Sequence, residues 1–260
     1  MYGALAIIII LTLGGVMVLQ KDVFGAKPSG KRLEAIKKSK NHKDGKFQNL
    51  SYTPPLAEGY NYIGVLYNFL FNKKDNLEPA DTIPSIKTEL KSLPSNANIL
   101  IWFGHSSYFI QLEGKTFLID PVLNGYAAPF KGMNKAFVGT DKYKVEDLPK
   151  IDYLIITHDH YDHLDYETVK KLKGNVGEVI CALGIGAHFE KWGYDPSRVM
   201  EKDWGDTVIL DSLITVHFTP ARHFSGRSLS RDNTLWTSYV LQTPTRKLFL
   251  GGDSGYDKHF

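Results

Sequence analysis

Apolar positions along the chain fall into three regimes. Residues 3–19 (GALAIIIILTLGGVMVL) form an unbroken apolar run without a charge. Residues 21 to 98 are polar and punctuated by Pro28, Gly30, Gly45, Pro54, Pro55 and Gly59, the composition of a linker or of an arm lying on a domain. From Ile99 onward, apolar runs of strand length alternate with turn residues. This pattern predicts strands over 99–103, 107–112 and 116–119, the last two joined by the turn Glu113-Gly114-Lys115, and then a buried strand from Ile151. Strands are also expected over 178–182, 208–210, 213–218, 235–242 and 247–250. Helices are expected after residue 165, where Tyr166, Val169 and Leu172 follow helical spacing, and over 184–192.

The first run is 17 residues long, or roughly 25 Å as a helix, the short end of what a bilayer core requires. A signal peptide fits less well, because no positive segment precedes the run and no A-x-A site follows it. Residues 1–20 are therefore expected to be a transmembrane anchor or a signal. Lys21, Lys27, Lys31, Arg32, Lys37, Lys38, Lys40, Lys43 and Lys46 follow, against Asp22, Glu34 and Asp44. That excess predicts a cytoplasmic domain anchored at the membrane, and the same lysines suit either anionic headgroups or a solvated linker. Residues 60–71 (YNYIGVLYNFLF) predict a short aromatic helix, expected to pack on the domain rather than to meet lipid.

Composition narrows the chemistry. With 260 residues, 43% of them hydrophobic, the chain can build one sizeable core. A net charge of +3, spread along the chain, carries no sign of nucleic-acid binding. A single cysteine, Cys181, excludes a disulfide framework and a thiolate cluster, so a metal would be held by carboxylates and by some of the nine histidines.

The densest chemistry lies in residues 151–165, IDYLIITHDHYDHLD. Alternate residues of an extended segment point the same way, so His158 and His160 can close on one cation. Asp162 and His163 fall where the chain turns toward a helix and can face a second cation. A solvated loop before a helix needs one capping residue, whereas this loop supplies five polar candidates. His105 interrupts the first strand pair, Asp120 ends a strand in FLIDP, His223 follows one in TPARH, and Asp253 follows one in FLGGDSGY. His217 alternates with apolar neighbours and His188 lies in a predicted helix, so both read as structural.

The T-H-x-H-x-D-H loop after an apolar strand resembles the signature of the metallo-β-lactamase fold. Together with GHSSYFIQLEGKTFLIDP, FTPARHFSGR, DNTLWTSYV and GGDSGY, it is similar to the branch containing N-acyl-phosphatidylethanolamine phospholipase D, with sugar-phosphate lactonases more distant. The resemblance covers residues 99–260 and implies an α/β fold, an αββα sandwich whose strand ends converge on two divalent metal ions, zinc by expectation. It implies His158, His160, Asp162, His163, His223 and Asp253 as ligands, with Asp253 shared between the metals. Asp120 would orient the ligand histidines, and His105 would stand behind them at its strand end. Asp162 would be both a ligand and the catalytic carboxylate that orients the attacking water. Arg222, Arg227 or Arg231 would contact phosphate, and residues 122–149 would border the pocket.

The expected activity is hydrolysis of a phosphodiester, most specifically a phospholipid cut in the manner of a phospholipase D. A lactonase or amidase on the same fold, or a non-catalytic membrane-anchored remnant, are the alternatives. The family would continue beyond Phe260 into another helix and one more histidine, so a C-terminally truncated domain is expected. Its second metal would keep only Asp162, His163 and Asp253, with His259 not substituting.

Overall fold

The computed structural model describes residues 2–72, 75–211 and 213–259; Met1, Lys73, Lys74, Ser212 and Phe260 lie outside them. The N-terminal apolar run is one helix, α1 (Tyr2–Leu19), followed by a helical turn at Asp22–Phe24. Among the described residues no helix is long and apolar enough to cross a membrane, so the expected transmembrane helix lacks support. Helix α2 (Gly30–Lys38) leads into a two-stranded hairpin, β1 (His42–Lys43) and β2 (Lys46–Phe47), and then α3 (Tyr62–Phe71). Much of this arm lies against the domain: Ile36, Phe47 and Leu90 share the core cluster of Leu154 and Trp236. The aromatic helix α3 does the opposite of what was expected. None of its residues is buried, and Ile63 is 82% exposed.

The main scaffold is built from two sheets. Strands β3 (Ile99–Gly104), β4 (Ser107–Leu112), β5 (Lys115–Ile119) and β6 (Ile151–Ile156) are followed by α4 (Tyr166–Leu172), β7 (Val176–Ala182), α5 (Gly186–Lys191) and β8 (Val199–Lys202). These six strands form one sheet in chain order, antiparallel as far as β5 and parallel from β5 to β8. The second sheet is antiparallel, with β9 (Thr207–Ile209) and β12 (Lys247–Leu250) flanking β10 (Thr215–Thr219) and β11 (Ser238–Gln242).

Strand β6 is buried on both faces, which explains why all of its residues but Asp152 are apolar. Ile151, Leu154 and Ile156 join the cluster under α4 and α5, while Tyr153 and Ile155 join Val216, Phe218, Tyr239 and Leu241 of the second sheet. Helices α4 and α5 cover the first sheet. On the outer face of the second, Ile209 is 75% and Phe249 54% exposed, and among the described residues no helix packs broadly against β9–β12. Among the described residues the layers are therefore helices, sheet and sheet.

The strand directions set up the site. Strands β3, β5 and β6 run the same way, as do β10 and β12, so their C-terminal ends lie together at one edge of each sheet. Tyr239 of β11 donates its hydroxyl hydrogen to the Ile156 carbonyl at 2.6 Å, tying the two sheets at the point where the polar loop begins.

Candidate metal centre

Parallel pairing of β5 with β6 places Asp120 beside Thr157, with the Asp120 N–H donating to the Ile155 carbonyl at 3.0 Å. Asp120 is wholly buried. Its Oδ1 accepts the Thr157 N–H at 2.8 Å, and its Oδ2 accepts both the Thr157 hydroxyl at 2.6 Å and His163 Nδ1 at 2.8 Å. Since the Thr157 proton goes to Asp120, its oxygen accepts from His158 Nδ1 at 3.0 Å. One carboxylate thus fixes the tautomers of two histidines, leaving Nε2 of each directed away from the anchor. The orienting role expected of Asp120 has this geometry, and Thr157, to which the sequence reading assigned nothing, is the hub through which it acts.

Two groups of donors meet beyond that anchor. His158, His160 and His223 form the first and His105, His163 and Asp253 the second, with the ligand atoms of each group within 4.8 Å of one another. His158 Nε2 lies 2.9 Å from His160 Nδ1, which lies 3.2 Å from His223 Nε2. Two nitrogens sharing a tetrahedral zinc at the usual bond length stand about 3.3 Å apart, so this spacing suits one cation. Asp253 spans the groups, Oδ1 at 3.4 Å from His163 Nε2 and Oδ2 at 3.7 Å from His223 Nε2. Asp162 Oδ2 accepts from His105 Nε2 at 3.1 Å and lies 3.9 Å from His163 Nε2. His105 therefore stands among the donors of the second group rather than behind them.

The fit to cations rests on an orphaned atom. His163 is fully buried, yet its Nε2 makes no hydrogen bond and faces the Asp253 and Asp162 carboxylates. A buried polar atom without a partner is costly unless an unseen group satisfies it. Protonation follows the same logic. Burial pushes the His158, His160 and His223 imidazoles down, His223 to about 4, so the first group offers neutral lone pairs. Burial would lower His163 too, but the Asp120 charge and hydrogen bond, then Asp253 and Asp162, raise it to about 10. A proton there holds a position that favours positive charge. Burial would raise Asp162, but His105 and His163 hold it down at about 2, so it is an ionised acceptor.

His105 (φ 47) and Asp120 (φ 41) both adopt left-handed backbone, which side chains other than glycine rarely occupy. Gly252 (φ +59) meets a different constraint. A Cβ there would lie 2.7 Å from Thr157 Cβ, so only glycine lets the Asp253 loop pass the hub.

The arginines expected to contact phosphate all have partners within the protein. Arg227 is buried, and its guanidinium donates to the carbonyls of Val23, Asp159 and Leu164. Arg222 donates to the Thr53 hydroxyl and the Tyr256 carbonyl, and Arg231 lies over the Phe224 ring. A cavity of about 540 Å³ instead adjoins the second group at His105 and Asp162, walled by Trp102, Phe103, Val122, Leu123 and Phe137. Of the two histidines read as structural, His217 pairs with Thr207 away from the site, whereas His188 contacts Asp159 inside the polar loop.

A model of the beta-lactamase superfamily domain matches residues 115–259, more than half of the chain. An uncharacterized protein of Mycobacterium tuberculosis is 34% identical over 223 residues, 85% of this chain and 60% of the relative. N-acyl-phosphatidylethanolamine-hydrolyzing phospholipase D 1 of Caenorhabditis elegans is 33% identical over 171 residues, 60% of this chain and 46% of the relative. The chain thus spans between about half and three-fifths of the length of these relatives. Among solved structures, Igni18, a metallo hydrolase of Ignicoccus hospitalis, matches with a TM-score of 0.48 and 22% identity over 61% of this chain and 62% of that one. The matched family segment begins at β5 and takes in Asp120, the whole polar loop, His223 and Asp253, so the anchor and the donors that it orients fall inside one family domain: the chain belongs to the beta-lactamase superfamily.

Proposed function

We propose that this chain is a metal-dependent hydrolase of phosphodiesters whose substrate carries an apolar chain, a phospholipid cleaved in the manner of a phospholipase D. The observation that carries the reading is the juxtaposition of two donor groups, spanned by Asp253, with an apolar-walled cavity reaching His105 and Asp162. Bound divalent cations, with zinc suited to imidazole and carboxylate donors, would supply Lewis acidity and lower the pKa of water.

The residues have separate tasks. His158, His160 and His223 would hold one cation as neutral donors, and His163, Asp162 and Asp253, with His105 at the rim, the other. Asp120 and Thr157 keep two of those rings in one tautomer. Asp162, ionised, can accept a proton of the attacking water and aim its lone pair at phosphorus. As the new phosphorus–oxygen bond forms, the bond from phosphorus to the head-group oxygen breaks; that oxygen takes up the proton held by Asp162 and leaves as an alcohol, and a phosphate monoester remains on the lipid. Trp102, Phe103 and Phe137 would shelter the apolar chain. The curated name of the Caenorhabditis relative supports this substrate class.

The approach to lipid would be peripheral. Exposed apolar side chains of α1 and α3, such as Leu11, Met17, Ile63 and Phe69, together with the lysines that follow α1, support contact of a cytoplasmic domain with a membrane surface.

The test is turnover of bis(nitrophenyl) phosphate, of N-acyl-phosphatidylethanolamine in mixed micelles and of a lactone, by protein treated with chelator and then given zinc. Zinc-dependent turnover of both phosphodiesters is expected, with a lower KM for the lipid. Turnover of the lactone alone, or activity untouched by the chelator, would overturn the reading.

A further inference from the structure

The polar loop has a second, inward side. His158 and His160 point to the donor group, so Asp159 between them points the opposite way, into the protein, where it is almost fully buried. Its Oδ1 accepts the Gly226 N–H at 2.7 Å, and its Oδ2 accepts from Thr234 Oγ1 at 2.9 Å and His188 Nε2 at 3.3 Å. His188 Nδ1 in turn accepts the Ala26 N–H at 3.0 Å, which fixes the ring with its proton on Nε2, toward Asp159.

Arg227 repeats the pattern one step away. Its Nη1 donates to the carbonyls of Asp159, at 2.8 Å, and Leu164, at either end of the polar loop, while its Nε and Nη2 donate to the Val23 carbonyl at 3.2 and 2.8 Å. The guanidinium stacks 4.3 Å from the Tyr161 ring, and the Tyr161 hydroxyl donates back to the Arg227 carbonyl. Trp192 Nε1 donates to the Asp22 carbonyl at 2.9 Å. Backbone more than 130 positions upstream of the loop is thereby held by the two side chains that hold the loop.

We propose that residues 22–26, acting through His188 and Arg227, are a positioning strap for the metal loop, setting the direction of His158 and His160 by clamping the residue between them. The proposal rests on the reading of His158, His160 and His223 as one cation site. Its physical basis is precision. Donor geometry must hold within about half an ångström, and partners that orient ligands typically contribute 10- to 100-fold in metal affinity. Gly25 shows how tightly the strap is seated: at φ +69, an added Cβ would lie 2.0 Å from His188 Nδ1. One methyl group on the strap must therefore displace the ring or the strap itself.

The test uses the full chain and cobalt(II), whose visible spectrum reports donor geometry without reference to turnover. Variants are Gly25→Ala, His188→Leu and His188→Gln, with His160→Ala and Phe189→Leu as references and thermal unfolding of the metal-free proteins measured alongside. Gly25→Ala and His188→Leu should weaken cobalt(II) binding 10- to 100-fold and alter the spectrum. His188→Gln, whose amide can donate to Asp159 and accept from Ala26, should return to within about threefold of the parent. The proposal fails if both disruptive variants bind with the parent constant and spectrum while His160→Ala has lost binding. It also fails if Phe189→Leu, a core change of similar thermal cost, weakens binding as much. If His160→Ala binds like the parent, the reading of the cation site itself is overturned, and the strap with it.

Discussion

Replacing Asp120 by Asn isolates what the buried anchor contributes. Asn has the same shape and tolerates left-handed backbone, so the φ of 41 adds little strain to the variant. The difference lies in donors and acceptors. Asp120 accepts three hydrogen bonds, from Thr157 N, Thr157 Oγ1 and His163 Nδ1. Asn offers one oxygen and an NH2 group. If the oxygen stays with the Thr157 N–H, the NH2 group faces His163 Nδ1–H, donor against donor. If the amide flips, the Thr157 N–H is orphaned instead. Either way one buried donor loses its partner, which costs about 1–3 kcal/mol.

Two effects on the metal compete. Asp120 raises His163 toward about 10, so its removal eases competition from the proton. The same negative charge attracts a cation at Nε2, however, and these terms largely cancel between the two competitors. What remains is lost orientation, about 10- to 100-fold in affinity. Urea unfolding of the metal-free protein and zinc titration against a chelating dye measure the two quantities. A variant within about 0.5 kcal/mol of the parent stability and with the parent zinc constant would refute the anchor argument.

Other outcomes follow from the same geometry. His160→Ala should lose most bound zinc by elemental analysis while His217→Ala, whose ring pairs with Thr207 away from the site, keeps it; equal contents would break the first group. His188 is unsuitable as that control because it contacts Asp159. Gly252→Ala places a Cβ 2.7 Å from Thr157 and keeps a left-handed φ, so it should lower zinc by one per chain and stability by about 1–2 kcal/mol, read by elemental analysis and urea unfolding. Val122→Phe narrows the cavity beside Asp162 and should raise the KM for a long-chain lipid about tenfold, leaving that for bis(nitrophenyl) phosphate nearly unchanged in steady-state assays.

The amino-acid sequence by itself determined the elements whose burial leaves a local signature. Strand β6 was readable because both of its faces are buried, which makes every position but Asp152 apolar. The polar loop was readable because a donor at every second position has few other uses, and β4 and β12 fall on the predicted residues. Short β8 and the packing of the arm left no such mark. Ile36, Phe47 and Leu90 lie in short, lysine-containing stretches, with no sustained period to announce that they enter the core. Helix α3 erred the other way, since its apolar residues predict a buried face that the tertiary structure leaves exposed.

The donor sets and their support were decided only by the fold. His105, His163 and Asp253 are more than fifty residues apart from one another, and strand order alone brings their sites to one edge. His188 and Arg227 read as a structural helix histidine and a phosphate contact, because nothing in their neighbours records that Asp159 and the carbonyls of residues 23 and 164 are their partners. Periodicity reports the average polarity around a residue, whereas a hydrogen bond depends on one partner atom within about 3 Å. The first is written locally along the chain; the second exists only once the chain has closed on itself.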